Sequence, residues 1–392
     1  MNNNSPITAD ASVVELVDSL VHNAVSSRAS DIHLEPQADA MRVRFRIDGV
    51  LYDQDPIAKD LIAQIISRLK VLGNMNIAEK RVPQDGKFNI VIDTNPIDLR
   101  VSTFPALFGE KVVVRILDRG VHTIALDQLG LAPDMFEQFR QLLEKPNGFF
   151  LVTGPTGSGK TTTLYAALAQ LNAPEKNIVT LEDPVEYHLD GITQGHINCE
   201  AGFTFEKGIR ALLRQDPDVL MVGEIRDKQT ASVAIEAALT GHVVLSTLHT
   251  NDSPSAIMRL MDMGIEPFLI NASLSGVLAQ RLVRSICLAC KQEKQPDESE
   301  RQLMQKFGLE GVTLCHGVGC QECSNLGYKG RTGIFELLVI DSILRSLIIK
   351  HPVFDDIYAS ALQSGMRTLA HDGAQKVKDG VITIQELART IV

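Results

Sequence analysis

The sequence predicts an α/β protein of several domains. A phosphate-binding core is preceded by a smaller α/β sheet domain and followed by a small cysteine-bearing subdomain. Three observations carry this reading. Gly148–Ala167 reads as strand, glycine loop and helix, in that order. Residues 29–117 contain runs in which apolar and polar side chains alternate. Two C-x-x-C pairs, Cys287/Cys290 and Cys320/Cys323, lie beyond the core. At 392 residues, roughly two or three domains are expected.

Composition narrows the class. A hydrophobic fraction of 44% and a charged fraction of 22% are those of an ordinary globular chain. A net charge of -10 and a pI near 5.5 argue against broad, direct nucleic-acid binding and leave only a local basic face for it. No apolar run approaches the roughly 18 residues of a membrane-spanning helix. The N-terminal MNNNSPITADAS lacks the apolar stretch of a secretory leader, so the expected location is the cytoplasm. Without a leader, cysteines in C-x-x-C pairs read as metal ligands before disulfides.

Residues 1–10 read as a flexible tail. Apolar residues at 13, 16, 17, 20, 21 and 24 then give the spacing of an amphipathic helix. Ser30–Glu35 alternates as a strand. In Met41–Ile47, Met41, Val43, Phe45 and Ile47 share one face, and Arg42, Arg44 and Arg46 the other. Asp48-Gly49 closes a hairpin into Val50–Tyr52. A helix follows with Leu61, Ile62, Ile65, Ile66, Leu69 and Leu72 on its apolar side, ending at Gly73. Pro83–Gly86 reads as a turn. Phe88–Ile92 and Ile97–Ser102 read as a second hairpin with Arg100 on its polar face, and Lys111–Leu117 as a further strand. The arginine-rich face has two readings, a solvated face of ion pairs or a set of guanidiniums presented to an anion.

Residues 121–285 form the core. Gly120–Asp134 reads as a linker, and Met135–Leu143 as a helix leading to the strand Phe149–Val152. The loop Gly154, Pro155, Thr156, Gly157, Ser158, Gly159 with Lys160 and Thr161 fits G-x-x-x-x-G-K-[ST], followed by Thr162 on the helix. The glycines let backbone N–H groups turn inward around phosphates, and the helix N-terminus adds its positive dipole end. Lys160 suits the β/γ-phosphates of ATP, and the Thr161 hydroxyl suits Mg²⁺. Asn177–Leu181 is a strand that runs into Glu182, Asp183 and Glu186, carboxylates placed for metal and water. Phe205–Leu213 is a helix carrying Arg210. Asp218–Val222 is an apolar strand followed by Gly223 and Glu224, and Glu224 is the expected residue that orients or deprotonates water. Gln229–Ala238 is a helix, and Val243–Leu248 a strand between His242 and His249; both histidines read as candidates for the nucleotide site, His249 as a sensor beside the γ-phosphate.

Cys287, Cys290, Cys320 and Cys323 make four soft ligands suited to tetrahedral structural Zn²⁺, with a redox disulfide pair as the competitor. Residues 291–319 separate the pairs, a longer gap than the usual ~15–20. Cys315 and His316 lie close by as alternative ligands, and Cys199 reads as a lone thiol. Arg331–Val392 reads as mostly helical.

Taken together, ASDIHLEP (Ala29–Pro36), FRIDGVL (Phe45–Leu51), PQDGK (Pro83–Lys87), RVSTF (Arg100–Phe104), FGEKVV (Phe108–Val113), the phosphate loop, TLEDPVE (Thr180–Glu186), RQDPDVLMVGEIRD (Arg214–Asp227), TGHVVLSTLHTN (Thr240–Asn251) and the cysteine pairs resemble the bacterial secretion ATPases of type II secretion and type IV pilus assembly. The resemblance spans roughly 12 to 335. It implies a RecA-like P-loop core at 121–285, an N-terminal α/β (PAS-like) domain at 11–120, a four-cysteine zinc module at 286–330 and a C-terminal helical subdomain at 331–392. It implies a homo-hexamer with ATP held between the sheet domain and the core, and arginines reaching the phosphates at Arg100, Arg115, Arg210 and Arg226. The implied partners are an inner-membrane platform protein and the cytoplasmic domain of a membrane recruiter, with the motor peripherally associated with the inner membrane. The zinc module resembles the assembly and secretion branch rather than the retraction motors. A DNA-uptake or conjugation relative and a nucleotide-gated scaffold without turnover are the rival readings. Many members carry a further N-terminal docking domain, and the chain is expected to start at the first helix of the sheet domain.

Overall fold

The structure is a computed structural model that describes residues 12–92, 95–118 and 124–391. The tail expected at residues 1–10 lies outside the described residues. Contacts divide the chain into two compact units, Met1–His122 and Thr123–Val392.

The first unit opens with α1 (Val13–Ser26), started by a reciprocal cap in which Ser12 and Glu15 satisfy each other's backbone N–H. There follow β1 (Ala29–Pro36), β2 (Ala40–Ile47), β3 (Val50–Asp53), β4 (Ile57–Ala58), α2 (Ile62–Leu72), β5 (Gln84–Ile92), β6 (Asn95–Ala106) and β7 (Gly109–Asp118). The strands form one antiparallel sheet in the order β3-β2-β1-β7-β6-β5, with β4 beside β2. Ile32, Leu34, Val43, Phe45, Leu99 and Val114 are buried on it, as are Val17 and Val21 of α1 and Ile65 and Leu69 of α2. The β2–β3 turn has left-handed φ at both Asp48 and Gly49, as the Asp-Gly signal predicts.

The turn expected at Pro83–Gly86 is corrected, because Gln84–Gly86 already belong to β5. A Cβ on Gly86 would lie 2.3 Å from the Gly73 carbonyl oxygen. This glycine permits close approach of two backbones, not a reversal of the chain. On the polar face, Arg42 pairs with Asp53 at 2.6 Å, Arg44 with Glu35 at 2.8 Å and Arg46 with Asp31 at 3.7 Å. Arg115 also reaches Asp31 at 3.0 Å, and Lys111 reaches Glu35 at 2.8 Å. The ion-pair reading therefore accounts for Arg42, Arg44 and Arg46.

The second unit comprises α3 (Pro133–Leu143), β8 (Gly148–Thr153), α4 (Lys160–Leu171), β9 (Ile178–Glu182), β10 (Thr193–His196), α5 (Phe205–Leu212), β11 (Val219–Val222), α6 (Lys228–Leu239), β12 (Val243–Leu248), α7 (Ser253–Asp262), α8 (Pro267–Ser273) and β13 (Leu274–Ile286). It continues with β14 (Lys291–Lys294), α9 (Glu298–Phe307), β15 (Leu314–Gly317), β16 (Tyr328–Val339), α10 (Ser342–Ile348), α11 (Phe354–Gln363), α12 (Leu369–Lys378) and α13 (Ile384–Ile391). The central sheet runs β10-β9-β11-β12-β8-β13-β16 and is parallel except for β16. Both faces are covered. Phe149, Leu151, Leu220 and Val244 join one core, and Phe150, Val152, Met221 and Leu245 the other. Such strands are apolar throughout, as buried parallel strands must be.

The mostly helical C-terminus needs one correction. Tyr328–Val339 is a strand that pairs along β13 from Gly276 opposite Val339 to Ile286 opposite Tyr328. It crosses the boundary expected at 330/331 and completes the central sheet. Ile334, Phe335, Leu337 and Leu338 are all buried, so the run has no period-two alternation to announce it.

Candidate active site

Parallel pairing aligns the ends of the central strands. Thr153 stands opposite Leu248, and Val222 opposite Ser246. The phosphate loop, Gly223-Glu224 and His249 therefore leave the sheet at one edge, where open α/β sheets bind ligands. Gly154, Gly157 and Gly159 have φ of +152°, +78° and +88°, values that a side chain resists. Pro155, Thr156 and Gly157 are exposed at the rim, while Ser158 is buried beneath it. Lys160 is the first residue of α4, and its Nζ donates to the carbonyls of Gly154 and Pro155 at 2.9 and 3.0 Å. Thr161 and Thr162 follow, half-buried, in the first turn, whose N–H groups have no helical partner.

Glu224 is 16% exposed at the side chain. Arg226 Nη2 lies 2.5 Å from its Oε1, and His249 Nε2 lies 3.4 Å from its Oε2. Burial pushes Lys160 below the ordinary lysine range; Glu224 opposes that shift and Arg281 adds to it. The site thus gathers a phosphate cradle, a lysine and a nearly enclosed carboxylate flanked by a histidine and an arginine. That set can bind a polyphosphate and hold a water beside it.

The remaining candidates are distributed differently. Glu182 is buried; its carboxylate accepts hydrogen bonds from Tyr165 Oη, from Thr180 Oγ1 at 2.5 Å and from Gln194 Nε2 at 3.3 Å. Its acceptor capacity is largely used inside the fold. Asp183 and Glu186 are exposed on the following loop, where Asp183 acts electrostatically on Arg226. Arg210 lies on α5, 3.4 Å from Glu206. His242 sits at the opposite end of β12 from His249, its Nδ1 2.8 Å from the Ala237 carbonyl oxygen, so the strand separates the two histidines by roughly 20 Å. Arg100 and Arg115 belong to the first unit and face each other across β6 and β7, and Lys87 stands opposite Arg100 on β5.

Sequence reasoning missed Gln280 and Arg281 on β13. Gln280 is fully buried under the phosphate loop, and Arg281 Nη2 donates to the Asn251 carbonyl at 2.7 Å. The signal available was the run LSGVLAQRLVRSI itself, where two polar side chains interrupt an apolar stretch.

Cys287, Cys290, Cys320 and Cys323 converge, their Sγ atoms all within 4.8 Å of one another. Cys287–Cys320 and Cys290–Cys323 are 3.8 Å apart, and Cys320–Cys323 3.7 Å. A tetrahedron with metal–sulfur bonds of about 2.3 Å has edges of about 3.8 Å, so the donor set fits Zn²⁺. Disulfide bonds, at about 2.05 Å, are absent among these sulfurs. Cys315 and His316 stand outside the cluster, and Cys199 is exposed and unpaired.

The fold and the phosphate-loop site define a P-loop nucleoside-triphosphate hydrolase. Residues 7–389 match the family described as Type II/IV secretion system protein. The chain is 48% identical over 380 residues to type II secretion system protein E of Pseudomonas aeruginosa, covering 97% of this chain and 76% of that protein. It is 46% identical to the type II secretion system ATPase E of Vibrio cholerae, covering 97% and 75%. It is 47% identical to the type IV pilus assembly ATPase PilB of Thermus thermophilus, covering 99% of this chain and 44% of that one. Among solved structures, the pilus retraction motor PilT with bound ADP superposes with a TM-score of 0.61 at 25% identity, over 95% and 96% of the two chains. The Legionella pneumophila ATPase DotB shares the fold, with a TM-score of 0.71 at 20% identity, over 98% of each chain. The chain belongs to the Type II/IV secretion system protein family. Among the described residues, no helix is long and apolar enough to cross a membrane.

Proposed function

We propose that the protein hydrolyses ATP as a homo-hexamer and drives assembly of a pseudopilus or type IV pilus, as in type II secretion. The convergence of Lys160, Glu224 and His249 on one sheet edge carries the catalytic half of this reading. The relatives named above, at 46–48% identity, support the motor half.

The backbone of Gly154–Gly159 and the Lys160 ammonium hold the phosphates. Glu224 orients the attacking water and takes its proton, and His249, beside that carboxylate, reports the occupant of the γ-phosphate position to the loop that follows. Phosphoryl transfer asks chiefly for positioning and charge neutralisation. Arg226, Arg100 and Arg115 supply the neutralising charge. Lys87, Arg100 and Arg115 stand opposite one another on adjacent strands, a row of like charges of which Arg115 is paired with Asp31 and which an anion would further stabilise. Thr161 would hold Mg²⁺ in this scheme, with Asp183 and Glu186 in support, and the ion would supply neutralising charge beside the phosphates. Zn²⁺ on the four cysteines is structural. The motor works at the inner membrane on a platform protein, docked by the cytoplasmic domain of a membrane recruiter.

The test is ATP hydrolysis per chain against protein concentration, for the parent protein and Glu224→Gln. The specific rate rises with concentration as the ring forms, and the variant loses about 10²–10⁴-fold. A variant that keeps more than a tenth of the rate removes Glu224 from the chemistry. A parent rate independent of concentration removes the ring, and no turnover at any concentration favours a nucleotide-gated scaffold.

A further inference from the structure

The geometry assigns Gln280 a role in the nucleotide site: it is a positioning residue that aims the phosphate loop. The assignment rests on the reading of Gly154–Thr161 as the phosphate site.

Gln280 comes from β13, more than a hundred residues beyond the loop, and is 2% exposed. Its Nε2 donates to the Ser158 carbonyl at 2.7 Å, and its Oε1 accepts from Thr163 Oγ1 at 2.8 Å. One side chain therefore grips the loop before Lys160 and the helix after it. The carbonyl of Ser158 and the N–H of Gly159 belong to one planar trans peptide and point in opposite directions. Drawing the carbonyl down onto Gln280 turns the Gly159 N–H up, away from the sheet and into the loop. That is the orientation an anion cradle needs.

The packing leaves little freedom in this arrangement. A Cβ on Gly154 would fall 2.6 Å from the Gln280 carbonyl oxygen, and one on Gly159 would fall 3.2 Å from Gln280 Nε2. Two of the three glycines of the loop thus lie directly on this residue. The next residue extends the brace. Arg281 Nη1 donates to the Gln280 carbonyl at 3.0 Å while its Nη2 holds Asn251, two residues beyond His249. Both ligand-facing loops are referenced to the same point on β13.

Two isosteric variants separate aiming from packing. Gln280→Met keeps the volume and removes both hydrogen bonds. Gln280→Glu keeps the acceptor for Thr163 and sets a carboxylate against the Ser158 carbonyl. ADP binding by calorimetry on the full chain, with parent protein alongside, gives affinity and stoichiometry separately. Both variants bind ADP about tenfold more weakly at full stoichiometry, the effect of the unsatisfied Ser158 carbonyl that the two share. In steady state their KM for ATP rises while kcat at saturation stays within a few-fold. A purely structural role would give the opposite pattern, with fewer competent sites, unchanged Kd and lowered kcat, and would overturn the assignment. So would parental affinity in both variants. A parent protein that binds no ADP refutes the phosphate-site reading itself, an outcome distinct from failure of Gln280 alone.

Discussion

Stripping Zn²⁺ from the cysteine cluster should loosen one segment of the second unit by a calculable amount. The two knuckles are 33 residues apart in sequence, and a metal held by both pairs would close that loop. A crosslink over a loop of this length lowers the entropy of the opened segment by an amount worth about 4 kcal/mol. The amides that report on it are identifiable. Gly327 N–H donates to Cys323 Sγ at 3.2 Å, Cys320 N–H to the same sulfur at 3.3 Å, and Cys287 N–H to the Gly327 carbonyl at 3.0 Å. In protein that carries one zinc per chain by elemental analysis, chelation should accelerate hydrogen exchange at these amides by about three orders of magnitude. Amides of β8 and β12 should keep their protection, because their cores are built from Phe149, Leu151, Val244 and Leu245 and owe nothing to the metal. Protein purified without metal, or exchange that accelerates less than tenfold after chelation, would refute the reasoning.

Three further outcomes are expected. Lys160→Ala should weaken ADP binding by about ten- to a hundredfold while leaving the melting temperature unchanged, since its Nζ bonds only two loop carbonyls; retained affinity in calorimetry would displace Lys160 from the site. Burial alone would raise Glu386, but Arg389 and Arg284 outweigh it and hold the carboxylate at about 2, against 4.5 for an ordinary glutamate. A depressed folded-state pKa adds stability that is complete above the ordinary value and lost as pH falls through the folded one. Between pH 4.5 and pH 2 about 3 kcal/mol should therefore disappear, and Glu386→Gln should flatten the urea-measured stability profile in that window. Tyr165→Phe should cost about 1–3 kcal/mol by taking one donor from buried Glu182, with kcat at saturation nearly unchanged; a kcat that collapsed instead would put Glu182 in the chemistry.

Glu182 and Glu224 show where a sequence stops informing. Each follows an apolar strand, and β9 and β11 are parallel neighbours in one sheet, so both carboxylates were expected at the same edge. What separates them is what stands beneath. Tyr165 on α4, Thr180 on the same strand and Gln194 on β10 enclose Glu182, whereas Glu224 meets His249 and Arg226, which leave it 16% exposed. No local pattern encodes that difference, because the enclosing side chains arrive from other elements. The converse holds for Gln280. Its role needs only one amide, delivered by a strand whose apolar neighbours have no period, since both faces of β13 are covered. The phosphate loop, the C-x-x-C pairs and the Asp-Gly hairpin were legible because each is a short-range requirement, met by residues a few positions apart. Gly86 is the instructive middle case. It is as visible in the sequence as Gly154, and it reads as a turn because the demand on it, the carbonyl of Gly73, comes from the end of a helix more than ten residues away. Strand order decides which loops meet, and it can be inferred from motif order. Which side chains then point into the shared space depends on contacts across the sheet: they enclose Glu182 and leave Glu224 partly exposed at the same edge, and they bring Gln280 of β13 beneath the loop Gly154–Gly159.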